Sequence, residues 1–99
     1  MTMRAIVNMM SGKVAKAAGW RAREIHADKP IATVEDVFRA VVLSGGGGTL
    51  YDLIREEEGL KPEFAVYVGG ELLRGAFDWQ RAITDSEQIH VADWPMSDS

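Results

Sequence analysis

The apolar residues of this 99-residue chain fall into short blocks separated by glycine, proline and polar turns. The first block, Arg4-Ala5-Ile6-Val7-Asn8-Met9-Met10, is rich in strand-compatible side chains, and Ser11-Gly12 ends it with turn chemistry, so it predicts a first strand. A loop through Lys13, Ala17 and Gly19 follows. From Trp20 to Ala27 the pattern alternates, with Ala22, Glu24 and His26 on one side and Arg21, Arg23 and Ile25 on the other. That predicts a second strand pairing back as a hairpin, stopped at Lys29-Pro30 because proline lacks the ladder donor.

The period then changes. Thr33 is a good N-cap, Glu35 and Asp36 place negative charge in a first helical turn, and Val34, Val37, Phe38, Val41 and Val42 recur at helical spacing. Ser44 and the run Gly45 to Gly48 terminate this main helix. Thr49 caps a shorter one that carries Leu50, Leu53 and Ile54 on one side and closes at Gly59. Beyond Pro62, Phe64-Ala65-Val66-Tyr67-Val68 is the most strand-like run in the chain, with Phe64, Val66 and Val68 on one face. Gly69-Gly70 supplies the positive φ values of a two-residue hairpin, from which Glu71-Leu72-Leu73 returns. An irregular stretch from Arg74 to Ile83 leads to the turn Asp85-Ser86 and a last strand, Gln88 to Ala92, which Trp94-Pro95 stops. The order of hairpin, helix, short helix, hairpin, loop and final strand predicts an α+β layout.

Composition narrows the chemistry. A chain of this length has room for one domain. It has no cysteine, which removes disulfides, thiolate metal sites and thiol nucleophiles together. The run Met1 to Met10 is interrupted by Arg4 and Asn8 and lacks the form of a signal peptide, so a cytoplasmic protein is expected; no stretch approaches the length of a membrane helix. The net charge of −4 is unevenly spread: residues 1–30 hold six basic residues against two acidic ones, a net of +4, which leaves −8 for the rest. Without aromatic residues interleaved at stacking spacing, the basic segment reads as solvated surface rather than as a nucleic-acid site.

Several of these segments together resemble the ThiS/MoaD sulfur carriers, prokaryotic relatives of ubiquitin. Thr33-Val34-Glu35-Asp36-Val37 resembles the family's helix start, and Ala65-Val66-Tyr67-Val68-Gly69-Gly70-Glu71 its central strand and Asn-Gly hairpin. Ile83-Thr84-Asp85-Ser86-Glu87-Gln88-Ile89-His90-Val91, followed by Pro95, is similar to its closing pattern of a hydrophobic residue, an Asp-Gly-Asp-type turn, a strand and a proline. The resemblance covers most of the chain. It implies a β-grasp (ubiquitin-like) roll, a mixed sheet of about four to five strands packed on one main helix plus a short second helix. One domain over residues 1–99 is expected, folded to 96, with 97–99 a flexible tail.

The family's chemistry depends on a C-terminal Gly-Gly whose carboxylate a partner enzyme adenylates and converts to a thiocarboxylate; glycine lets the tail thread a narrow channel. This sequence departs there, reading Met96-Ser97-Asp98-Ser99, with side chains and a negative charge in place of the diglycine. The diglycines at Gly45 to Gly48 and Gly69-Gly70 are internal, and cleavage after Gly70 would delete the last strand.

Other candidates have ordinary alternatives. Gly45 to Gly48 before Thr49 is similar to a phosphate-binding loop, but the lysine of a Walker sequence is missing, and a flexible joint or loop insertion is the other reading. His26 and His90 lack further ligands at metal spacing. Glu56, Glu57 and Glu58 form either a solvated face or a face for a basic partner. Phe77, Trp79 and Trp94, in the irregular loop and at the tail, are large aromatics of the kind that serve as core lids or as binding anchors, and Pro95 and Met96 would extend such a contact. The expectation is a non-catalytic accessory or adaptor protein, a small subunit docking on a larger metabolic enzyme through Phe77, Trp79, Trp94, Pro95 and Met96. No cofactor, metal, nucleic acid or membrane is expected. The alternative is a divergent sulfur carrier activated at its C-terminus by an adenylating enzyme.

Overall fold

The computed structural model describes residues 3–27, 33–57, 59–73 and 79–94. In chain order its elements are β1 (Met3–Met9), α1 (Gly12–Ala18), β2 (Ala22–Ala27), α2 (Val34–Ala40), α3 (Leu50–Ile54), β3 (Arg55–Glu56), β4 (Gly59–Leu60), β5 (Phe64–Val68), β6 (Glu71–Leu73) and β7 (Glu87–Asp93). Five of the strands form one mixed sheet in the order β2-β1-β7-β5-β6, and β3 pairs with β4 apart from it. The last strand lies at the centre, parallel to β1 and antiparallel to β5. Each of the two expected hairpins forms at one side of it. Gly69 (φ +58°) and Gly70 (φ +88°) make the turn between β5 and β6, a conformation that side chains with a Cβ resist.

Alternation along the strands builds the core. Ala5, Val7 and Met9 of β1, Phe64, Val66 and Val68 of β5, and Ile89 and Val91 of β7 are buried, and α2 adds Val34, Val37 and Phe38. Each large apolar side chain so buried contributes about 1.5–3 kcal/mol. The N-cap of α2 is as expected: Thr33 Oγ1 accepts from the Asp36 amide at 3.1 Å, and Asp36 Oδ2 accepts from the Thr33 amide at 3.2 Å. Two more amides of this first turn are taken by the segment leading to Ile83, Val34 donating to the Arg81 carbonyl and Glu35 to the Trp79 carbonyl, both at 3.0 Å. The stretch approaching Ile83 thus has a structural task that its irregular pattern concealed.

Four expectations need correction. The segment expected as a loop through Lys13 and Ala17 is helix α1: Ser11 caps it by accepting from the Val14 amide at 3.3 Å, Val14, Ala15 and Ala18 bury one side, and Gly19 (φ +88°) ends it. The main helix stops at Ala40. Val41 is already extended (φ −90°, ψ 107°) and Val42 forms an isolated bridge to Thr49, so Val41 and Leu43 point inward while Val42 is 68% exposed. Gly45 to Gly48 belong to a hydrogen-bonded turn, with Leu43 N donating to Gly48 O at 2.9 Å and Gly46 N to Leu43 O at 3.2 Å. The short helix ends at Ile54 rather than Gly59; Leu50, Tyr51 and Ile54 are its buried residues, and Leu53 is only partly covered. The chain then turns through Glu57 (φ +51°) into the small β3–β4 ladder.

Candidate functional site

The end of β7 is where the expected tail contact begins. Met10 and Ser11 donate their amides to the Val91 carbonyl at 2.7 and 2.9 Å, and Ser11 Oγ donates to Asp93 Oδ1 at 2.6 Å while capping α1. The Trp94 amide donates to the Glu63 carbonyl at 2.8 Å, carrying the β5–β7 pairing one residue further. Lys13 pairs with Glu63 at 3.0 Å and lies 5.6 Å above the Phe64 ring. The chain therefore leaves the sheet between the start of α1 and the start of β5, with Asp93 tethered and Trp94 half-buried.

Of the five expected contact residues, Phe77, Pro95 and Met96 lie outside the described residues. The other two are not brought together. Trp79 is a core residue, packed edge-to-face on Phe38 of α2 (5.6 Å, 70°) and on Tyr51 of α3 (4.8 Å, 72°), so of the two roles open to it, it takes that of a lid. Trp94 stands at the end of the sheet beside Glu63.

The outer face of the sheet holds residues that the pattern did not single out. Cross-strand register sets Ala22, Asn8, His90, Tyr67 and Leu72 in one row over all five strands, with Glu24, Ile6 and Gln88 in the row beside it. Ile6, Asn8, Tyr67 and His90 are half-buried, and Leu72 is 41% exposed. Asn8 Nδ2 donates to Gln88 Oε1 at 2.9 Å, which fixes the polar groups between Ile6 and His90. A usable signal was present: Ile6 and Tyr67 are apolar at alternate positions where a merely solvated face would be polar.

Other chemistry is poorly served. Among the described residues no three His, Cys, Asp or Glu side chains gather as a metal site. Nor does the glycine run form an anion cradle, because the amide and hydroxyl of Thr49 donate to Asp52 Oδ2 at 3.2 and 3.0 Å. These hydrogen bonds hold the Asp52 carboxyl below the ordinary Asp range, so a carboxylate already occupies the start of α3. At the opposite end of β7, Asp85 accepts from the Arg4 amide at 3.0 Å and from its guanidinium at 3.4 Å; the guanidinium bond, then the amide bond, lowers its pKa.

Three solved structures are similar over nearly the whole chain. SAMP1 from Haloferax volcanii superimposes with a TM-score of 0.67 at 20% identity, covering 97% of this chain and 99% of its own. A structure of H. volcanii small archaeal modifier protein 1 gives 0.64 at 20% identity, over 90% and 94% of the two chains. The third, a candidate molybdopterin converting factor subunit 1 from Pyrococcus furiosus, gives 0.63 at 16% identity, again over 90% and 94%. The chain has the ubiquitin-like β-grasp fold. No family model and no curated protein matches the sequence, so at these identities the likeness is one of architecture. This β-grasp chain has the mixed sheet that the earlier resemblance implied, here of five strands, and its central strand is the last. The outer face and the segment leaving β7 remain as candidate contact surfaces. No helix of the described residues is long and apolar enough to cross a membrane.

Proposed function

We propose that the protein is a non-catalytic accessory or adaptor, a small subunit that docks on a larger cytoplasmic metabolic enzyme through the outer face of its sheet and the segment beginning at Trp94. The observation that carries this reading is the row Asn8, His90, Tyr67 and Leu72, with Ile6 beside it. A mixed aromatic and aliphatic surface of this kind, rimmed by Arg4, Glu24 and Gln88, has the composition of an interface core with a polar border. Trp94 supplies an anchor at the strand end, and Pro95, Met96 and Phe77 are assigned to the same contact. Trp79 is left out of it because its ring is spent on the core. Affinity purification from the source cell tests the reading with the wild type, Leu72→Arg, Trp94→Ala, Met96→Ala and, as a control on the exposed Val42, Val42→Arg. One stoichiometric partner should be held by the wild type and by Val42→Arg, and held at least fivefold more weakly by Leu72→Arg and by one of the tail variants. Equal recovery by all five would sink the proposal.

A second reading draws on the similar structures, a modifier protein and a candidate molybdopterin converting factor subunit. In it the chain is a divergent sulfur carrier activated by an adenylating enzyme. Residues 94–99 contain no glycine, whereas that chemistry is expected to use a diglycine after the last strand. Intact-mass measurement after incubation with an adenylating enzyme, ATP and a sulfur donor separates the two: exchange of one carboxyl oxygen for sulfur supports the carrier, and an unchanged mass supports the adaptor.

A further inference from the structure

Helix α1 and the residues leading into β2 enclose a shallow groove of about 330 Å3, lined by Gly12, Ala15, Lys16, Gly19, Trp20 and Arg21. Its floor is nearly free of side chains; a Cβ placed on Gly12 would meet nothing within 4 Å. One wall is Trp20, half-buried against the core, with the Arg23 guanidinium 5.0 Å from its ring centroid. The charge is the unusual feature. Arg4, Lys13, Arg39 and Arg81 each pair with a carboxylate. Lys16, Arg21 and Arg23, all exposed, have no carboxylate within ion-pair distance among the described residues. Three neighbouring cations without counter-charges raise a local positive potential on a chain that is otherwise acidic, and such a potential steers an acidic partner toward an apolar slot.

We propose that this groove binds a short acidic peptide segment of a partner protein. Its carboxylates meet Lys16 and Arg21, and one apolar side chain lies over Gly12 and Ala15 against Trp20. A nucleic acid fits less well. The groove spans only a few residues, Arg23 already occupies one face of the single aromatic wall, and residues 31–99 carry −8, which repels a longer polyanion. This surface does not depend on the docking face proposed above.

The test uses the full chain, labelled for amide NMR, and a capped peptide of sequence Glu-Asp-Leu-Leu-Asp-Glu as probe. Saturable shifts are expected at the amides of Gly12, Lys16 and Gly19 and at the Trp20 indole, with affinity falling at least fivefold between 20 and about 200 mM salt, a span that roughly reaches physiological screening. Lys16→Glu with Arg21→Glu should weaken binding at least fivefold, and so should Gly12→Leu, which fills the floor without touching charge. Leu72→Arg on the sheet face should bind like the wild type, which keeps the outcome separate from the adaptor reading. Away from the groove each variant should keep the wild-type amide fingerprint, which separates a lost site from a lost fold. The proposal is overturned by absent or non-saturable shifts, by equal binding of a peptide with lysine in place of the acidic residues, by tighter binding of a decauridylate, or by loss of the shifts on dilution that disperses a self-associated form.

Discussion

Ser86 sits at φ +65° in the turn before β7, a left-handed conformation in which its Cβ crowds the backbone. The turn is held there from outside: the Ser86 amide donates to the Arg4 carbonyl at 2.8 Å, and its neighbour Asp85 is gripped by the Arg4 amide and guanidinium. The strain is therefore imposed by the pairing of the two chain ends. A residue with a Cβ costs roughly 1–2 kcal/mol in this region, while glycine costs about 0.4–1 kcal/mol through the freer unfolded chain. Ser86→Gly should thus leave stability unchanged or raise it by up to about 1.5 kcal/mol, and Ser86→Val should lower it, since a β-branched residue tolerates the conformation worst. Urea unfolding monitored by tryptophan fluorescence checks both. A loss exceeding 1 kcal/mol in the glycine variant, by the same scale, contradicts the strain argument.

At the junction of α1 and β7 one hydroxyl ties the helix cap to the side chain of Asp93. Ser11 is fully buried, caps α1 and donates to Asp93, so its side chain joins the first helix to the last strand. Asn and Asp are caps as good as Ser in isolation, and alanine costs about 0.5–2 kcal/mol. The Asp93 contact breaks that equivalence. Ser11→Asp would set a second carboxylate against Asp93 at hydrogen-bond distance, so it should destabilise more than Ser11→Asn at pH 7. Thermal melts of the two variants at pH 7 decide this; equal melts would remove the Asp93 contact from the account. The same helix shows why parts of the sequence resisted reading. Its seven residues present only Val14 and two alanines to the core, a weak periodic signal beside the valines and phenylalanine of α2. Val42 misled in the opposite way, because Val41, Val42 and Leu43 suit either period and the Val42 bridge to Thr49 selects the extended one. Strand β5 was legible as a short run of strand-favouring residues, and β7 because Ile89 and Val91 alternate with Gln88 and His90. The candidate site was less so: Trp94 marks the strand end by type alone, whereas Ile6, Tyr67 and Leu72 become neighbours only through a register that the local pattern does not contain.

Over the whole molecule, stability depends on joining the first strand to the last. β1 and β7 pair in parallel at the centre of the sheet, and side chains stitch the same seam: Arg4 to Asp85, Asn8 to Gln88 and Ser11 to Asp93. Such contacts close nearly the full chain, so their formation lags the local hairpins. One carboxylate of this seam, Asp85, and one at the start of α3, Asp52, carry an acid sensitivity. The folded state lowers the pKa of Asp85, through its hydrogen bonds from Arg4, and of Asp52, through its bonds from Thr49, relative to the ordinary 3.8. A depressed carboxyl binds its proton more readily in the unfolded chain. Its stabilisation is therefore complete above 3.8 and is lost as pH falls through the lower folded value. Both groups are exposed, so the effect is modest and weakens with added salt. In urea titrations from pH 7 to pH 2 at low salt, the wild type should lose stability most steeply below 3.8. Asp52→Asn with Asp85→Asn should begin less stable at pH 7, fall less steeply and approach the wild type at the acid end. Parallel curves for the two proteins, or a wild type that gains stability on acidification through this window, would show that these two carboxylates do not carry the acid sensitivity.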